Sequence, residues 1–435
     1  MLIKSIFTNS SGILVSRILG FLRDVLMASI LGANIFSDIF FIAFKVPNLF
    51  RRIFAEGAFT QAFIPAYARN KQKIRFSSII FLQFLAFILV LSLLVTLFSH
   101  VVTKAIAVGF DAATVDLAAP LVAINFYYLP IIFVVTFMAA LLQYKNHFAT
   151  TAFSTALLNL ALIAALLISK DLDKYTITYY LSYGVLAGGL LQLLVHILAL
   201  RKKNLLKVFH FKQLNIRSTN KFYKNFLSAT VGSSTSHVSA FLDTWLASFL
   251  IAGNISYLYY ANRVFQLPLA LFAIATSIAL FPMVARAIKN SDENKALQLM
   301  RKSFLILLGV LSIATFIGIY FDNFIIKLLF ERGAFTHNDT QNTALILTMY
   351  LIGLLPFGLS KIFSLWLYSN NKQFIAAKIS MKSLFWNIIF SLLLIIPFEA
   401  AGLAFASTLS GFILFYLTIK EFGFKRFKIL ILNSK

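Results

Sequence analysis

Residues 38–59 read DIFFIAFKVPNLFRRIFAEGAF, an apolar run that nevertheless holds five charges and a proline. Asp38, Lys45 and Arg52 recur every seven residues and therefore share one stripe of a helix, with Glu56 one turn beyond Arg52. Each charge at the centre of a membrane helix costs about 2.5–3.5 kcal/mol, so the stripe requires water or pairing partners. The stretch therefore predicts a functional helix inside a membrane protein.

The composition agrees with that interpretation. The 435 residues are 60% apolar, 15% aromatic and only 12% charged, with a mean hydropathy of +0.85. A soluble domain carries about 25% charged residues, so a water-soluble globular protein is excluded. The absence of cysteine excludes disulfides, thiolate metal sites and cysteine nucleophiles.

We predict an all-α polytopic membrane protein, because only helices or closed barrels satisfy their backbone in lipid and these runs are too long for barrel strands. Charges at Arg17, Arg23 and Asp24 interrupt the first run, which is therefore a retained helix and not a signal peptide. The twelve predicted spans are 11–31, 36–66, 77–100, 117–143, 148–168, 176–200, 226–250, 256–285, 303–321, 341–367, 375–396 and 402–419.

The basic residues set the expected orientation. With the N-terminus inside, the inner segments hold 25 Lys and Arg and the outer segments hold 5. Both termini are therefore expected in the cytoplasm. Most of the net charge of +24 is then a topology signal that faces membrane lipids, and no nucleic-acid partner is expected.

The chain divides into two sets of six spans. We expect an N-terminal lobe (1–200), a basic cytoplasmic linker (201–224), a C-terminal lobe (225–420) and a cytoplasmic tail (421–435). Residues 63–69 and 280–286 share a Pro-x-x-Ala-Arg pattern 217 positions apart. This weak repeat favours two parallel lobes with a substrate site between them, as in many transporters.

Arginine dominates the buried charges of the first two helices. These helices hold five basic residues and three acidic ones. The arginines are Arg17, Arg23, Arg51 and Arg52, the lysine is Lys45, and the acids are Asp24, Asp38 and Glu56. Such an excess favours a wet cationic cavity for a phosphorylated anion, because guanidinium binds phosphate in a bidentate manner. Ion pairs that merely fix helix packing remain the alternative. Pro47 is expected to kink the second helix near Asn48.

The second half carries fewer intramembrane charges. Arg263 is the expected partner for the same anion from the other lobe. Asp243 has three readings: a counter-ion to Arg263, a coupling site for H⁺ or Na⁺, or a locally paired polar residue. Lys361, Lys378 and Lys382 are expected to snorkel towards the cytoplasmic face. No nucleotide-binding glycine loop or zinc motif occurs, so we expect neither an enzyme nor a cofactor.

Three strings carry a family resemblance: SRILGFLRD at 16–24, the 38–59 string, and YYANR at 259–263. Together they closely resemble the MurJ (MviN) lipid II flippases, with weaker similarity over nearly the whole chain. The resemblance implies a V-shaped exporter-type fold with a central cationic cavity. It also implies alternating-access translocation of lipid II to the periplasmic leaflet of the bacterial inner membrane, for cell-wall synthesis.

The resemblance also assigns roles to residues. Arg17, Arg23, Arg51, Arg263 and Asn48 match substrate-binding positions. The residues expected to orient the arginines or to form gates are Asp24, Asp38, Arg52 and Glu56. Two departures are notable: Asn262 replaces the family aspartate, and about twelve helices are predicted where the family usually has fourteen, the last two of which bind the lipid tail.

Several alternatives stay open at this stage. A flippase for another polyprenyl-pyrophosphate glycan fits the charges equally well. A cation-coupled drug exporter would have an acidic cavity, and an enzyme would have clustered carboxylates or histidines at one face. Transport is expected to draw on membrane potential, H⁺ or Na⁺ at Asp243. The chain is expected to be a monomer that works beside cell-wall synthesis proteins.

Overall fold

A computed structural model describes residues 2–55, 58–206 and 220–432, and these residues form helices and no strand. The prediction of an all-helical membrane protein is confirmed. In chain order the helices are α1 (Leu2–Leu31), α2 (Ile35–Ala55), α3 (Ala58–Arg69), α4 (Lys73–Leu97), α5 (Ser99–Ile106), α6 (Ala112–Phe126), α7 (Tyr128–Tyr144), α8 (Ala149–Ser169), α9 (Lys174–Lys202), α10 (Asn220–Ala247), α11 (Asn254–Pro268), α12 (Ala275–Lys289), α13 (Glu293–Tyr320), α14 (Asp322–Phe330), α15 (His337–Ile352), α16 (Leu354–Ser369), α17 (Gln373–Phe422) and α18 (Phe424–Leu432).

Within the described chain, eight helical segments are long and apolar enough to cross a membrane. One of them, α17, has 50 residues, and non-helical backbone at Glu399 (φ 47°, ψ −130°) divides it into two. The helices α1, α2 and α10 are not among the eight. With these three and the divided α17, the helices correspond to the twelve predicted spans.

Four predicted spans are not continuous α-helices, and one of them, 77–100, breaks only near its end, at Phe98. Span 117–143 breaks at Tyr127 and span 341–367 at Gly353, while a π-helical turn at Leu269–Ile274 interrupts span 256–285. A proline lies within three residues of each of the other three interruptions: Pro130, Pro356 and Pro268. Because proline has no N–H, it leaves the carbonyl four residues earlier without its helical partner. The missing bond accounts for the breaks at Tyr127 and Gly353, whereas the π-helical turn begins after Pro268 and the missing bond does not explain its position.

The contacts divide the chain into two compact units. Unit 1 comprises Met1–His237 and Arg332–Ala334, and unit 2 comprises Val238–Glu331 and Phe335–Lys435. The division falls inside α10, later than the linker predicted at 201–224. Of that linker, residues 207–219 lie outside the described residues. Of the predicted tail at 421–435, the described part ends α17 and forms α18.

In unit 1, small residues allow α8 and α9 to pack closely. A Cβ atom built at Gly188 would lie 2.8 Å from the Cα of Leu158, and one at Gly184 would lie 2.9 Å from the Cβ of Ala165. Both distances are shorter than van der Waals contact. Only glycine therefore permits this approach, which fixes α8 and the polar residue Asn159 that it carries.

An aromatic cluster joins the start of α10 to unit 1. Phe59 is fully buried, and its ring lies 5.3 Å from that of Phe63, 5.7 Å from that of Phe133 and 6.0 Å from that of Phe222. Most of these pairs are tilted or edge-to-face, a geometry that adds to the free energy of apolar burial. The cluster therefore holds α3, α7 and α10 together.

In unit 2, α11 is held against α15 and the loop before it. Tyr260 is fully buried, with ring contacts to Phe330 at 5.1 Å and Phe335 at 5.6 Å. The Tyr257 hydroxyl donates a hydrogen bond of 2.8 Å to Asp339, which also caps α15. These contacts orient the neighbouring turn of α11, which carries Arg263.

Candidate functional site

Arg23 and Asp24 form a buried pair on α1. Nε and Nη2 of Arg23 donate to Asp24 Oδ1 at 3.0 Å and 2.5 Å, and the two residues are only 7% and 1% exposed. Nη1 of Arg23 donates to Asn159 Oδ1 on α8 at 3.0 Å. The amide of Asn159 in turn donates to the carbonyl of Ser16 at 3.0 Å. The arginine is thus oriented by an acid and an amide from two helices.

Arg17 differs from Arg23 in its surroundings. It lies at the middle of α1, its side chain is exposed, and it makes no hydrogen bond or ion pair with any residue in the described part of the chain. An exposed guanidinium facing acyl chains would cost several kcal/mol. At membrane depth such a guanidinium requires water or an anion as its partner, which is what the predicted substrate site would supply.

The charged stripe of α2 is partly described. Asp38 is buried in the first turn, Lys45 is half-buried, and Arg51 Nε donates to Asn48 Oδ1 at 3.1 Å. The helix continues through Pro47 to Ala55. The side chain of Arg52 and the whole of Glu56 lie outside the described residues, so their predicted pairing stays a prediction.

Arg263 on α11 has an aromatic partner that the sequence analysis missed. Its Nη2 donates to the Tyr259 hydroxyl at 2.9 Å, and its guanidinium carbon lies 5.1 Å from the centre of the same ring. The two residues are four positions apart, so they are neighbours on the helix surface. That spacing is visible in the sequence and could have identified the contact.

Asn262 is the residue that departs from the family pattern. Its side-chain oxygen accepts a hydrogen bond from the amide of Gln266. An amide can both donate and accept hydrogen bonds but carries no charge. At this position the chain therefore has a neutral amide pair where the family has an aspartate.

Asp243 on α10 lies within a polar group of unit 2. Its Oδ2 accepts from the Ser407 hydroxyl at 3.2 Å, and Ser407 accepts from the Asn387 amide at 3.1 Å. Asn387 is 1% exposed, and its Oδ1 has no hydrogen-bond partner within the described residues. Other polar residues lie in the same two spans, so the sequence alone does not distinguish Asn387 or Ser407 from them.

A match to a family model identifies the family of this chain. The chain matches the family model described as "Lipid II flippase MurJ" over residues 27–434. The chain belongs to the lipid II flippase MurJ family. Its resemblance to MurJ, predicted from three short strings, is thereby confirmed.

Named relatives agree with MurJ membership. The chain is 49% identical over 426 residues to "Probable lipid II flippase MurJ" of Helicobacter pylori (strain ATCC 700392 / 26695), with 94% of this chain and 92% of the relative covered. It is 34% identical to the protein of the same name from Buchnera aphidicola subsp. Acyrthosiphon pisum, with 97% of this chain and 83% of the relative covered.

Solved structures show the same fold. A structure described as "Lipid II flippase MurJ, inward closed conformation" matches with a TM-score of 0.84 and 25% identity, covering 98% of this chain and 90% of that chain. An inward-facing multidrug resistance MATE family transporter matches with a TM-score of 0.73 and covers 96% of each chain. At 13% identity the second match shows the exporter-type fold alone. MurJ membership and the apolar helices make the chain a multi-pass inner-membrane protein.

Proposed function

We propose that this chain translocates lipid II from the cytoplasmic to the periplasmic leaflet by alternating access. The observation that carries the proposal is Arg17, an exposed guanidinium at the middle of a helix in a chain of the MurJ family. A guanidinium group binds a pyrophosphate in a bidentate manner. The electrostatic attraction between the two groups is far stronger in a low-dielectric cavity than in water. Such binding lowers the barrier that keeps the head group on one side.

Unit 1 supplies two more arginines to this proposal. Arg51 is oriented by Asn48, and Arg23 is held by Asp24 and Asn159. Orientation matters because a planar guanidinium fork must align with two phosphate oxygens. In unit 2, Arg263, which Tyr259 orients, is the arginine that the sequence predicts to bind an anion.

The test is lipid II translocation in cells depleted of their native flippase. Arg17→Ala, Arg51→Ala and Arg263→Ala should each lower translocation, and Arg17→Lys should recover only part of it because lysine lacks the fork. Lys382→Ala, at a residue predicted to snorkel, is the matched control and should keep full activity. Wild-type translocation by all three alanine variants would contradict the site assignment. Translocation of a different polyprenyl-linked glycan, and none of lipid II, would contradict the substrate.

We further propose that Asp243 binds the coupling cation. Carboxylate, hydroxyl and amide oxygens are the ligands that hard cations prefer, and Asp243, Ser407 and Asn387 supply one of each. One carboxylate among neutral oxygens suits a monovalent ion, Na⁺, or a proton. A cation bound in one conformation would let an ion gradient or the membrane potential drive the cycle.

Thermal melting of the purified protein separates these coupling ions. Na⁺ should raise the melting temperature over the same concentration of choline, and Asp243→Asn should abolish that rise. Asp292→Asn is the matched control, because asparagine caps α13 as well as the aspartate does. A rise that follows pH and not Na⁺ would identify a proton; no response to either would contradict the cation site.

The orientation also stays a proposal, with both termini in the cytoplasm. Because the chain has no cysteine, a single cysteine can be placed at will. Asn146→Cys in the α7–α8 loop should react with an impermeant maleimide only in opened cells. Asp171→Cys in the α8–α9 loop should react in intact cells. The opposite pattern would overturn the orientation.

A further inference from the structure

The helix α18 follows the last span after a single residue. α17 ends at Phe422 and α18 begins at Phe424, and Gly423 between them has φ 104° and ψ 121°. An L-residue rarely adopts that positive φ, whereas glycine adopts it without steric cost. Gly423 therefore turns the chain sharply where the span ends, and α18 cannot be a simple continuation of α17.

One face of α18 is fixed to unit 2. Leu430 is 1% exposed, and the ring of Phe427 lies 5.5 Å from that of Phe363. Arg426 Nε donates to Glu293 at 2.6 Å, and the guanidinium lies 5.3 Å from the centre of the Trp366 ring. Together the apolar and charged contacts define which side of the helix points outwards.

The outward face combines large apolar side chains with lysine. Phe424, Ile429 and Ile431 are 53%, 44% and 40% exposed, and Lys425 and Lys428 are exposed between them. The helix FKRFKILIL contains no acidic residue. Exposed apolar residues flanked by lysines are typical of helices that lie in the membrane interface.

The contacts of Phe424 indicate that this face lies at the depth of the lipid head groups. Its ring lies 6.1 Å from that of Tyr416, which is 55% exposed near the end of the last span. Tyrosine is enriched where a span meets the head groups. A face of five side chains is also small for a protein partner, since a stable interface has about 20–30 residues a side.

We propose that α18 lies in the membrane interface and binds anionic phospholipid head groups through Lys425 and Lys428. Phe424, Ile429 and Ile431 enter the boundary between head groups and acyl chains, while Arg426 and Phe427 hold the helix to unit 2. The end of the last span is thereby fixed at the surface of the leaflet. This binding is independent of which substrate the protein translocates.

Because the chain has no cysteine, one fluorophore can report on α18 in the full-length protein. Ile429→Cys, labelled with an environment-sensitive dye, is reconstituted in phosphatidylcholine vesicles with and without phosphatidylglycerol. Blue-shifted emission and quenching by brominated lipid should increase with phosphatidylglycerol and decrease at high salt. Asn290→Cys, in the α12–α13 loop, is the solvent-exposed control and should show neither change.

Charge removal then identifies the lysines that bind. Lys425→Gln with Lys428→Gln in the labelled protein should lower the ratio of membrane-bound to free helix in anionic vesicles about 30-fold. Lys289→Gln with Lys295→Gln, two exposed lysines of the same unit, should leave the ratio unchanged. Equal thermal melting of both doubles shows that the folds are intact.

Three outcomes would overturn the proposal. The dye at position 429 could show the same emission and the same quenching as the dye at position 290 in every vesicle. The blue shift could be equal in neutral and anionic vesicles and survive loss of both lysines. It could instead grow with protein density and not with phosphatidylglycerol, which would identify a second copy of the chain as the occupant.

Discussion

Arg23 of α1 donates to Asn159 of α8, 136 residues away, at 3.0 Å, while it shares a buried ion pair with the adjacent Asp24. A buried charge with too few partners is strongly destabilising, so the amide matters to the fold as well as to the orientation of the arginine. The pair Arg23–Asn159 therefore connects the stability of unit 1 to the geometry of its candidate site.

Asn159→Leu should lower both stability and translocation. The change keeps the approximate volume but removes the acceptor for Arg23 and the donor for the Ser16 carbonyl. Unsatisfied buried groups cost about 1–3 kcal/mol each, so thermal melting should shift clearly downwards.

Asn125→Leu is the matched control for this effect. Asn125 is a buried amide in the same unit, and it donates to Ser182 at 2.9 Å and to the Leu121 carbonyl at 2.8 Å. Asn125→Leu should lower stability about as much as Asn159→Leu does. It should nevertheless preserve translocation at a temperature where both variants are folded. Equal activity of the two variants there would show that Asn159 has no part in orienting Arg23.

The sequence predicted local features far better than distant partners. Apolar runs of about 20 residues identified the spans, and Asp38 and Lys45, seven residues apart, lie in one helix that continues past Pro47. The bond from Arg23 to Asn159 could not be predicted, because nothing in a single sequence pairs residues on different helices. Breaks such as Tyr127 were missed because hydropathy is continuous across them, and only the following Pro130 indicates the lost hydrogen bond.

Tyr259→Phe should reduce translocation less than Arg263→Ala does. Phenylalanine keeps a ring face beneath the guanidinium but removes the hydroxyl that accepts from Nε and Nη2 at 3.3 Å and 2.9 Å. Arg263 should then sample more rotamers, which weakens bidentate binding without removing the charge. Tyr183→Phe, at an exposed tyrosine of unit 1, should be neutral in the same translocation assay. If Tyr259→Phe is as harmful as Arg263→Ala, the hydroxyl itself contacts the substrate.

Gly188→Ala should destabilise the protein although alanine is the better helix former. The new methyl group would lie 2.8 Å from Leu158, so α8 and α9 would have to separate, at a typical cost of about 1–3 kcal/mol. Gly309→Ala is the control, because a Cβ there meets nothing within 4 Å and helix propensity alone should raise stability by up to about 1 kcal/mol. In detergent, the melting temperature of Gly188→Ala should therefore fall and that of Gly309→Ala should rise. Shifts of the same sign would mean that the close approach of α8 and α9 contributes little.

His147, in the loop between α7 and α8, should make stability depend on pH. Partial burial lowers its pKa below the ordinary 6.5, and the positive charges of Lys203 and Lys202 lower the pKa further. The folded state therefore favours the neutral ring, whose Nε2 lies 2.8 Å from the Thr150 hydroxyl. The unfolded chain takes up a proton first as the pH falls.

The sign of the effect follows from that order of protonation. The stability due to neutral His147 is complete above pH 6.5, falls as the pH drops below that value, and stops falling below the lowered pKa of the folded state. Melting temperatures measured across this range should decline in the wild type and decline less in His147→Gln, which has no ionisable group. Lys203→Gln should raise the pKa of His147 in the folded state and so weaken the pH dependence. An unchanged slope in His147→Gln would assign the acid sensitivity to other groups.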